Sequence, residues 1–336
     1  MSAPAPTPRV AAIVPAYGVA HLLPDALRSL QAQTVADWEC VVVDDGAPDD
    51  VAAAVAPFLG DRRITFLATD NGGVSTARNR AIAASTAPLV TLLDGDDLLR
   101  PTYFEQVTAA FAADDSIRLV TCNARIFGAV SSERLCFVDT PTRRGSLDDV
   151  LDRSFGVYIG STFRRADFDA IGGFDPAMAH AEDLDLWVRL TMLGGDALYL
   201  DEVLGDYRVR PGSASASDEK MMLGNIRVYE KAIAAEPGAQ TVALCEAMIA
   251  DNRRQLAMRH AIDRVIDGDT KTGLAELSRH YGEDNLRWRF SLALWRVFPW
   301  LSRPMLTWRR MAHARGSAVS FAGFLHKMTR PAERGR

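Results

Sequence analysis

The sequence predicts an α/β protein with a mostly parallel, mixed sheet, followed by an α-helical C-terminal extension. Short β-rich segments alternate with helical segments of 10–13 residues between residues 9 and 124. Such alternation favours βαβ units, whose parallel sheet is covered by helices on both faces. Carboxylates follow two of the predicted strands, at the edge where open α/β sheets bind ligands. From residue 218 to about residue 280 the pattern is helical alone.

The alternating part contains five predicted strands, each a short apolar run rich in β-branched residues. They are expected at 9–17, 38–45, 63–68, 88–94 and 117–124. The helices that separate them carry helical apolar patterns. They are expected at 21–33, 49–59, 74–85 and 101–113.

After residue 124 the period changes, and the second half of this region is mixed. We expect a hairpin, two helices and three extended runs. These lie at 125–139 (hairpin), 147–153 and 180–193 (helices), and 156–165, 196–201 and 204–210 (extended). The segment PGSASAS at 211–217 is typical of a linker or mobile loop, and no internal repeat occurs.

Composition places the chain among ordinary globular proteins, since 48% of its residues are apolar and 24% are charged. Its four cysteines lie far apart and form no CxxC pair. That spacing argues against a zinc ribbon or a disulfide framework and suits a reducing cytosol. The N-terminal residues lack the apolar core of a signal peptide, and no transmembrane-length apolar run occurs. We therefore expect a cytoplasmic protein.

The net charge of −5 conceals a strongly basic C-terminal tail at 287–336. This tail holds eleven Lys and Arg residues against one acid, and four of the six tryptophans. Basic, Trp-rich helices suit an anionic membrane surface, so residues 287–330 predict peripheral attachment at the inner face of the plasma membrane. The alternatives are aromatics that pack on the body of the protein, or a homodimer contact. No nucleic-acid-binding motif accompanies the charge, so we expect no nucleic acid partner.

The segment LLDGDD ends the fourth predicted strand and carries Asp94, Asp96 and Asp97. Three carboxylates within four residues repel one another unless a cation or protons neutralise them. A divalent Mn²⁺ or Mg²⁺ ion, held by oxygen ligands and by a substrate's phosphates, would remove that repulsion. The alternative is a solvated turn or a helix N-cap, because Asp97 precedes Leu-Leu-Arg-Pro.

Two other strand ends carry groups that suit a nucleotide. The first strand delivers Pro15 and Tyr17, and the second delivers Asp44 and Asp45 before a Gly46 turn. A tyrosine ring and a carboxylate at neighbouring strand ends could stack on and hydrogen-bond a nucleobase, although Asp-Asp-Gly is also a common turn after a strand.

Two predicted helices begin with groups of further interest. The Gly-rich segment NGGVSTARNRA at 71–81 brings Arg78 and Arg80, whose guanidinium groups could hold a diphosphate. Glu182, Asp183 and Asp185 fall in the first turn of the helix at 180–193. The helix dipole alone favours acids there, but this is also the best-placed candidate for a catalytic base.

Taken together, these segments resemble the family 2 glycosyltransferases, which have a nucleotide-sugar-binding α/β fold of the GT-A type. Six motifs match in order over about residues 9–215, and the order makes the resemblance specific. They are VPAYG (14–18), VVVDDGAPDD (41–50), NGGVSTARNRA (71–81), LLDGDD (92–97), GGFDPAMAHAEDLDLWVRL (172–190) and YRVRPGSAS (207–215).

The resemblance implies a role for each matched residue. Tyr17 and Asp45, with Pro15 and Asp44 beside them, would contact the base, and Arg78 would lie by the nucleotide. Asp94 would sit by the ribose and the metal, and Asp96 would be a metal ligand. Asp183 would deprotonate the acceptor, which implies inversion at the anomeric carbon. Glu182 and His180 would belong to the acceptor site.

By the same resemblance the donor is a nucleotide-diphosphate sugar, a UDP-sugar in the first instance. The acceptor would be a hydroxyl of a glycan or glycolipid in the synthesis of cell-surface polysaccharide, lipopolysaccharide or glycolipid. The resemblance also implies three regions. They are an N-terminal tail (1–8), a GT-A domain (9–217) with nucleotide-binding (9–123) and acceptor (124–217) halves, and a helical C-terminal region (218–336).

The chain departs from the family's pattern at Gly18, at Ala47 and Pro48, and at Arg210. Many relatives have a His at the position of Arg210, and Arg can contact phosphate but cannot bind a metal. Two other functions are alternatives to a glycosyltransferase. A sugar-phosphate nucleotidyltransferase would want a basic, Gly-rich loop near the N-terminus, and no Lys or Arg lies between Val10 and Leu27. A non-catalytic sugar- or lipid-binding module would tolerate loss of Asp96 or Asp183, and both are present.

Overall fold

The computed structural model describes residues 7–138, 140–158, 160–210, 218–235, 238–280 and 286–314. The predicted linker at 211–217 and the end of the basic tail lie outside these residues. The chain forms two compact units, one of residues 1–129 and 133–252 and the other of residues 130–132 and 253–336. The unit that holds the sheet thus runs on to residue 252, and the predicted domain boundary at 217 stays a prediction.

Ten described strands form one sheet. They are β1 (Val10–Ala16), β2 (Trp38–Asp45), β3 (Ile64–Thr69), β4 (Leu89–Leu92), β5 (Leu98–Leu99), β6 (Ile117–Gly128), β7 (Arg134–Leu135), β8 (Arg143–Gly145), β9 (Thr162–Arg164) and β10 (Asp196–Val209).

Of the described α-helices, eight lie in the first unit, α9 passes from the first unit into the second, and α10 to α12 lie in the second unit. These helices are α1 (Leu23–Gln31), α2 (Val51–Val55), α3 (Val74–Ala83), α4 (Tyr103–Ala113), α5 (Leu147–Leu151), α6 (Arg165–Ala170), α7 (Glu182–Met192), α8 (Asp218–Ala234), α9 (Ala239–Asp267), α10 (Thr270–His280), α11 (Leu286–Val297) and α12 (Ser302–Ala314).

The sheet is mixed but mostly parallel, which confirms the predicted fold class. Its main order is β3-β2-β1-β4-β9-β6-β10-β5, with β7 beside β6 and β8 beside β10. The first four strands in this order are parallel, as are β6 and β10, whereas β9 and β5 run antiparallel to their neighbours. The carboxyl ends of β1, β2 and β4 therefore meet at one edge of the sheet.

The apolar residues of β1 and α1 are buried in the core, as expected for a central strand and the helix that covers it. Every residue of β1 is buried except the partly exposed Pro15, as expected of a strand between two neighbours and two helical layers. The ladder with β4 ends at Ile13, so Pro15, which has no N–H, costs no hydrogen bond on that side. Helix α1 buries Leu23, Leu27 and other apolar residues at helical spacing against this sheet.

Three predicted elements differ in the structure. Of the extended run at 156–165 only β9 is a strand, because the Tyr158 amide donates to the Thr121 hydroxyl (3.0 Å) rather than to a ladder. The runs 196–201 and 204–210 join into the single strand β10, whose polar centre is accommodated by register shifts. The N-cap alternative for Asp97 is wrong, since Leu98–Leu99 is a strand.

The second unit has its own apolar core. Its buried members come from α9 to α12 and are Ala261, Val265, Leu277, Leu292, Trp295, Met305 and Leu306. The short turn at Pro299–Leu301 separates α11 from α12, which contains Pro304 without a break. Pro304 lies in the first turn of α12, where the helix does not use its missing N–H. Among the described helices, none is both long and apolar enough to cross a membrane.

Candidate active site

The ends of β1 and β2 lie side by side at the ligand-binding edge. Ala16 is in register with Asp44, so the segments that follow them, with Tyr17 and Asp45, are neighbours. The Tyr17 side chain is exposed, with 55% of its surface accessible, and its ring is free to stack on a ligand. Asp44 is partly buried and accepts from the Ala47 amide (2.8 Å), which closes the turn.

Asp45 is buried and organises the Gly-rich loop rather than facing open solvent. Its two carboxylate oxygens accept hydrogen bonds from the amides of Gly72 and Gly73, each at 2.8 Å. Gly46 follows with φ +64°, and a Cβ there would meet the Asn71 amide nitrogen at 2.7 Å. Asp45 therefore fixes the start of α3 at this edge, and a base contact by Asp45 stays a prediction.

Asp49 is a positioning residue that the sequence reasoning missed. Its carboxylate accepts from the amides of Gly18 (3.0 Å) and Ala20 (2.6 Å), in the loop that follows Tyr17. The signal was present, because Asp readily satisfies free loop amides. Which of the aspartates in DDGAPDD would reach back to the first loop depends on the tertiary fold.

Arg78 lies at the centre of the candidate site. Its guanidinium donates to Asp94 Oδ1 (2.8 Å) and to Glu182 Oε1 (2.9 Å). The side chain is only 3% exposed and lies over the Phe174 ring. One buried cation thus joins the LLDGDD segment, expected at the donor, to the helix start expected at the acceptor.

The charges around Arg78 are coupled. Burial disfavours the charged guanidinium, but Asp94 and Glu182 outweigh that effect and raise the pKa of Arg78. Burial raises the pKa of Glu182; Arg78 opposes this rise, and the charge of Asp183 adds to it. Removing Arg78 would leave two carboxylates facing each other with little solvent to screen them.

The three aspartates of LLDGDD have different surroundings. Asp97 is buried and accepts from the Arg208 amide (2.8 Å) and the Tyr158 hydroxyl (3.4 Å), so it holds the loop to β10. Burial raises its pKa well above the usual range. Asp96 forms an ion pair with Arg210 through Oδ2. Arg210 therefore neutralises the aspartate that is predicted to be a metal ligand.

Asp94 and Asp96 fit a divalent cation. Burial and then the charge of Asp94 raise the pKa of Asp96, although Arg210 opposes them. Arg78 uses Asp94 Oδ1 and Arg210 uses Asp96 Oδ2, so neither arginine occupies Asp94 Oδ2 or Asp96 Oδ1. Among the described residues no three His, Cys, Asp or Glu side chains are already grouped for a metal. Two carboxylates with ligands from water and phosphate are the arrangement that Mg²⁺ commonly adopts.

The start of α7 is held in an unusual backbone conformation. Ala181 is left-handed (φ 58°, ψ 28°), a conformation that costs a non-glycine residue about 1–3 kcal/mol. Helix α8 packs against it closely, since a Cβ on Gly224 would meet the carbonyl oxygen of the partly buried His180 at 2.6 Å. These contacts fix Glu182 and Asp183 at the helix start.

Asp183 and Asp185 have different surroundings although both lie in the first turn. Asp183 is partly exposed, and only Oδ1 has a partner among the described residues, the Leu184 amide. Asp185 is buried and binds Arg189 (2.6 Å) and Lys231 of α8 (2.6 Å). Asp185 is therefore structural, whereas Asp183 is partly exposed and keeps Oδ2 outside its hydrogen bond to the Leu184 amide.

Comparison with known proteins shows which family the sequence matches. The sequence pattern described as glycosyl transferase family 2 matches residues 11–172. Residues 11–172 therefore belong to this family. The predicted enzyme class is thereby confirmed over the nucleotidyltransferase and the non-catalytic module.

Two curated relatives are similar over much of the chain. The succinoglycan biosynthesis protein ExoU of Rhizobium meliloti is 29% identical over 81% of this chain and 82% of its own length. The uncharacterized glycosyltransferase EpsJ of Bacillus subtilis is 29% identical over 61% of this chain. That match covers 62% of EpsJ, less than two thirds of its length.

Solved structures share the fold at low sequence identity. S. aureus TarS 1-349 superposes with a TM-score of 0.60 at 14% identity, covering 80% of this chain and 81% of TarS 1-349. A structure of the same protein in complex with UDP-GlcNAc gives a TM-score of 0.59 at 16% identity, with 81% and 80% covered. The mannosyltransferase PcManGT from Pyrobaculum calidifontis, in complex with GDP-Man and Mn²⁺, gives 0.58 at 19% identity, with 96% and 88% covered. These likenesses confirm the GT-A fold.

Proposed function

We propose that this glycosyltransferase moves a sugar from a UDP-sugar to an acceptor hydroxyl, with inversion at the anomeric carbon. The observation that carries the proposal is the Arg78 bridge between Asp94 and Glu182. It brings the segment proposed to hold the donor next to the segment that presents Asp183. A donor bound at Asp94 would therefore have a carboxylate available on its acceptor side.

The proposed chemistry is a single displacement. Asp183 takes the proton from the acceptor hydroxyl as its oxygen bonds to the anomeric carbon. The bond from that carbon to the diphosphate oxygen breaks, and its electron pair leaves with the nucleoside diphosphate. Attack opposite the leaving group inverts the configuration. Tyr17 is proposed to stack on the base, while Asp45, through Gly72 and Gly73, orients the loop before α3.

A divalent ion would be held by Asp94 and Asp96. When bound, it neutralises charge on the leaving diphosphate. Two arginines already neutralise these carboxylates in the structure: Arg78 pairs with Asp94, and Arg210 pairs with Asp96. Mn²⁺ or Mg²⁺ both suit oxygen ligands, and the PcManGT complex contains Mn²⁺.

We place the enzyme in the cytoplasm, at the inner face of the membrane, in the synthesis of a cell-surface polysaccharide or glycolipid. ExoU, similar over 81% of this chain, is named as a succinoglycan biosynthesis protein. The proposed acceptor is therefore the hydroxyl of a growing glycan or glycolipid.

A donor panel tests the proposed function. The intact protein is incubated with UDP-GlcNAc, UDP-glucose and GDP-mannose, each with and without Mn²⁺, and the unfolding temperature and donor hydrolysis are measured. We expect at least one UDP-sugar with Mn²⁺ to raise the unfolding temperature by a few degrees, because a ligand that binds only the folded state stabilises it. Stabilisation by GDP-mannose alone would contradict the UDP assignment, and no response to any donor would contradict the function.

Arg210 gives a separate prediction about the diphosphate. Arg210→Met should weaken UDP binding in the presence of Mn²⁺ by about 10- to 150-fold, the value of a hydrogen bond to a charged group. Arg210→Lys should recover part of this loss, because Lys keeps the charge but not the planar guanidinium. Calorimetric titration with UDP measures both variants. Wild-type affinity in Arg210→Met would show that Arg210 only neutralises Asp96.

A further inference from the structure

In the second unit, some aromatic residues of the basic tail are buried and others are exposed. Trp295 is fully buried in the unit's core, and Trp288 and Trp308 pack against that core. Trp295 also donates its indole N–H to the Met305 sulfur (3.3 Å). Three of the four tryptophans that suggested a membrane surface are thus occupied in packing.

A different group of apolar side chains is exposed. Phe290, Val297 and Trp300 have 68%, 68% and 70% of their surface accessible, and Phe298 has 43%. The rings of Phe298 and Trp300 contact each other edge to face at 6.4 Å between centroids. We call these four residues the apolar patch. They lie on α11 and on the short turn at Pro299–Leu301 that follows it.

Two arginines flank the exposed part of the apolar patch in the sequence. Arg296 precedes Val297 directly and Arg303 lies three residues after Trp300; both are exposed, and the structure pairs neither with a carboxylate among the described residues. The segment 286–314 contains six arginines and no acid. Large exposed aromatics on a soluble surface mark an interaction site, and unpaired arginines beside them select an anionic partner.

We propose that the apolar patch, with Arg296 and Arg303, is the surface through which this protein docks on an anionic lipid bilayer. Aromatic and aliphatic side chains enter the boundary between head groups and acyl chains, and arginines at the same level contact lipid phosphates. The combination fits a bilayer better than a second copy of the chain. Two such patches facing each other would bring four unpaired arginines together without counter-charges.

The proposal does not depend on the donor chemistry, because all of its residues lie in the second unit, whereas the candidate active site lies in the first. Truncation of the tail would be a poor test of this proposal. Removal of the tail would delete Leu292, Trp295, Met305 and Leu306 from the core and unfold the unit for trivial reasons. Substitutions of exposed residues leave that core intact.

The experiment is co-sedimentation of the full-length protein with vesicles of phosphatidylcholine alone or with roughly 30% of the anionic lipid phosphatidylglycerol, which gives the vesicles a negative surface potential. Two variants are compared with wild type: Phe298→Ser/Trp300→Ser, and Arg296→Glu/Arg303→Glu. Val138→Ser is the matched control, since Val138 is 69% exposed but belongs to the first unit. Donor-dependent stabilisation is measured on all of them.

We expect wild type and Val138→Ser to bind the anionic vesicles much more tightly than vesicles of phosphatidylcholine alone. The arginine variant should bind at least about 30-fold more weakly at low salt, from the loss of two basic residues at the surface. The aromatic variant should lose the part of binding that survives high salt. All variants should keep donor-dependent stabilisation, so failure of the docking proposal and failure of the proposed function are distinguishable.

Equal vesicle binding by wild type and both patch variants would overturn the proposal. So would a wild-type dimer in light scattering that becomes monomeric in the aromatic variant, because the patch would then serve a second copy. Tryptophan fluorescence gives a second measurement of docking. The vesicle-induced blue shift of tryptophan fluorescence should be lost in Trp300→Phe, and its persistence there would also overturn the assignment.

Discussion

Replacement of Asp183 by Asn should lower the rate of sugar transfer by a factor on the order of 10²–10⁴, the range for loss of a general base. An amide cannot accept the acceptor's proton. The fold should be unaffected, because Asp183 is partly exposed and its only partner among the described residues is the adjacent Leu184 amide. The Asn carbonyl oxygen can accept that same hydrogen bond.

The measurement is single-turnover transfer from the donor identified in the panel, compared with Asp169→Asn. Asp169 is an exposed acid on α6 in the same unit, so its substitution controls for loss of one negative charge. The control should transfer sugar at the wild-type rate. If Asp183→Asn did so too, another group would be the base, and the proposed displacement would lack its proton acceptor.

Asp96→Asn should strongly lower metal-dependent activity while the protein remains folded. A neutral amide is a poor substitute for an anionic ligand, and the lost charge stabilisation is worth several kcal/mol, or roughly 10²–10³ in rate. Stability should change little, because burial and Asp94 already raise the pKa of Asp96 in the folded protein. The amide oxygen can still accept from Arg210.

Mn²⁺-dependent donor hydrolysis and the electron paramagnetic resonance of added Mn²⁺ test this variant together. We expect hydrolysis to be lost and the fraction of bound Mn²⁺ to fall at a given donor concentration. Asp97→Asn is an informative contrast. Asp97 is buried in contacts with Arg208 and Tyr158, so this change should lower stability as well. Hydrolysis near the wild-type rate in Asp96→Asn would remove Asp96 from the metal site.

The first half of the fold is predictable because its signals are local. The four strands β1 to β4 are apolar runs whose ends carry Tyr17, Asp44, Asp45 and Asp94, and parallel strands bring such ends to one edge. The hairpin after residue 124 is confirmed by the antiparallel pairing of β6 with β7. These elements require no knowledge of distant contacts.

The candidate site itself is only partly predictable, because long-range contacts decide which charged residue has which role. Arg78 was expected beside a nucleotide, but its burial between Asp94 and Glu182 depends on how α3 and α7 pack. Asp183 and Asp185 look equivalent in sequence, and only the approach of Lys231 from α8 separates them. The tryptophans of the tail pose the same problem, since composition does not show which face of each helix is buried.

We propose that the donor site and the catalytic base are separate groups, linked by Arg78 through its ion pairs with Asp94 and Glu182. Calorimetric titration of wild type, Asp183→Asn and Asp96→Asn with UDP and Mn²⁺ tests it most directly, with GDP titrated in parallel. We predict wild-type UDP affinity in Asp183→Asn and a large loss in Asp96→Asn. Equal loss of UDP affinity in both variants would contradict the account, because Asp183 would then belong to the donor site.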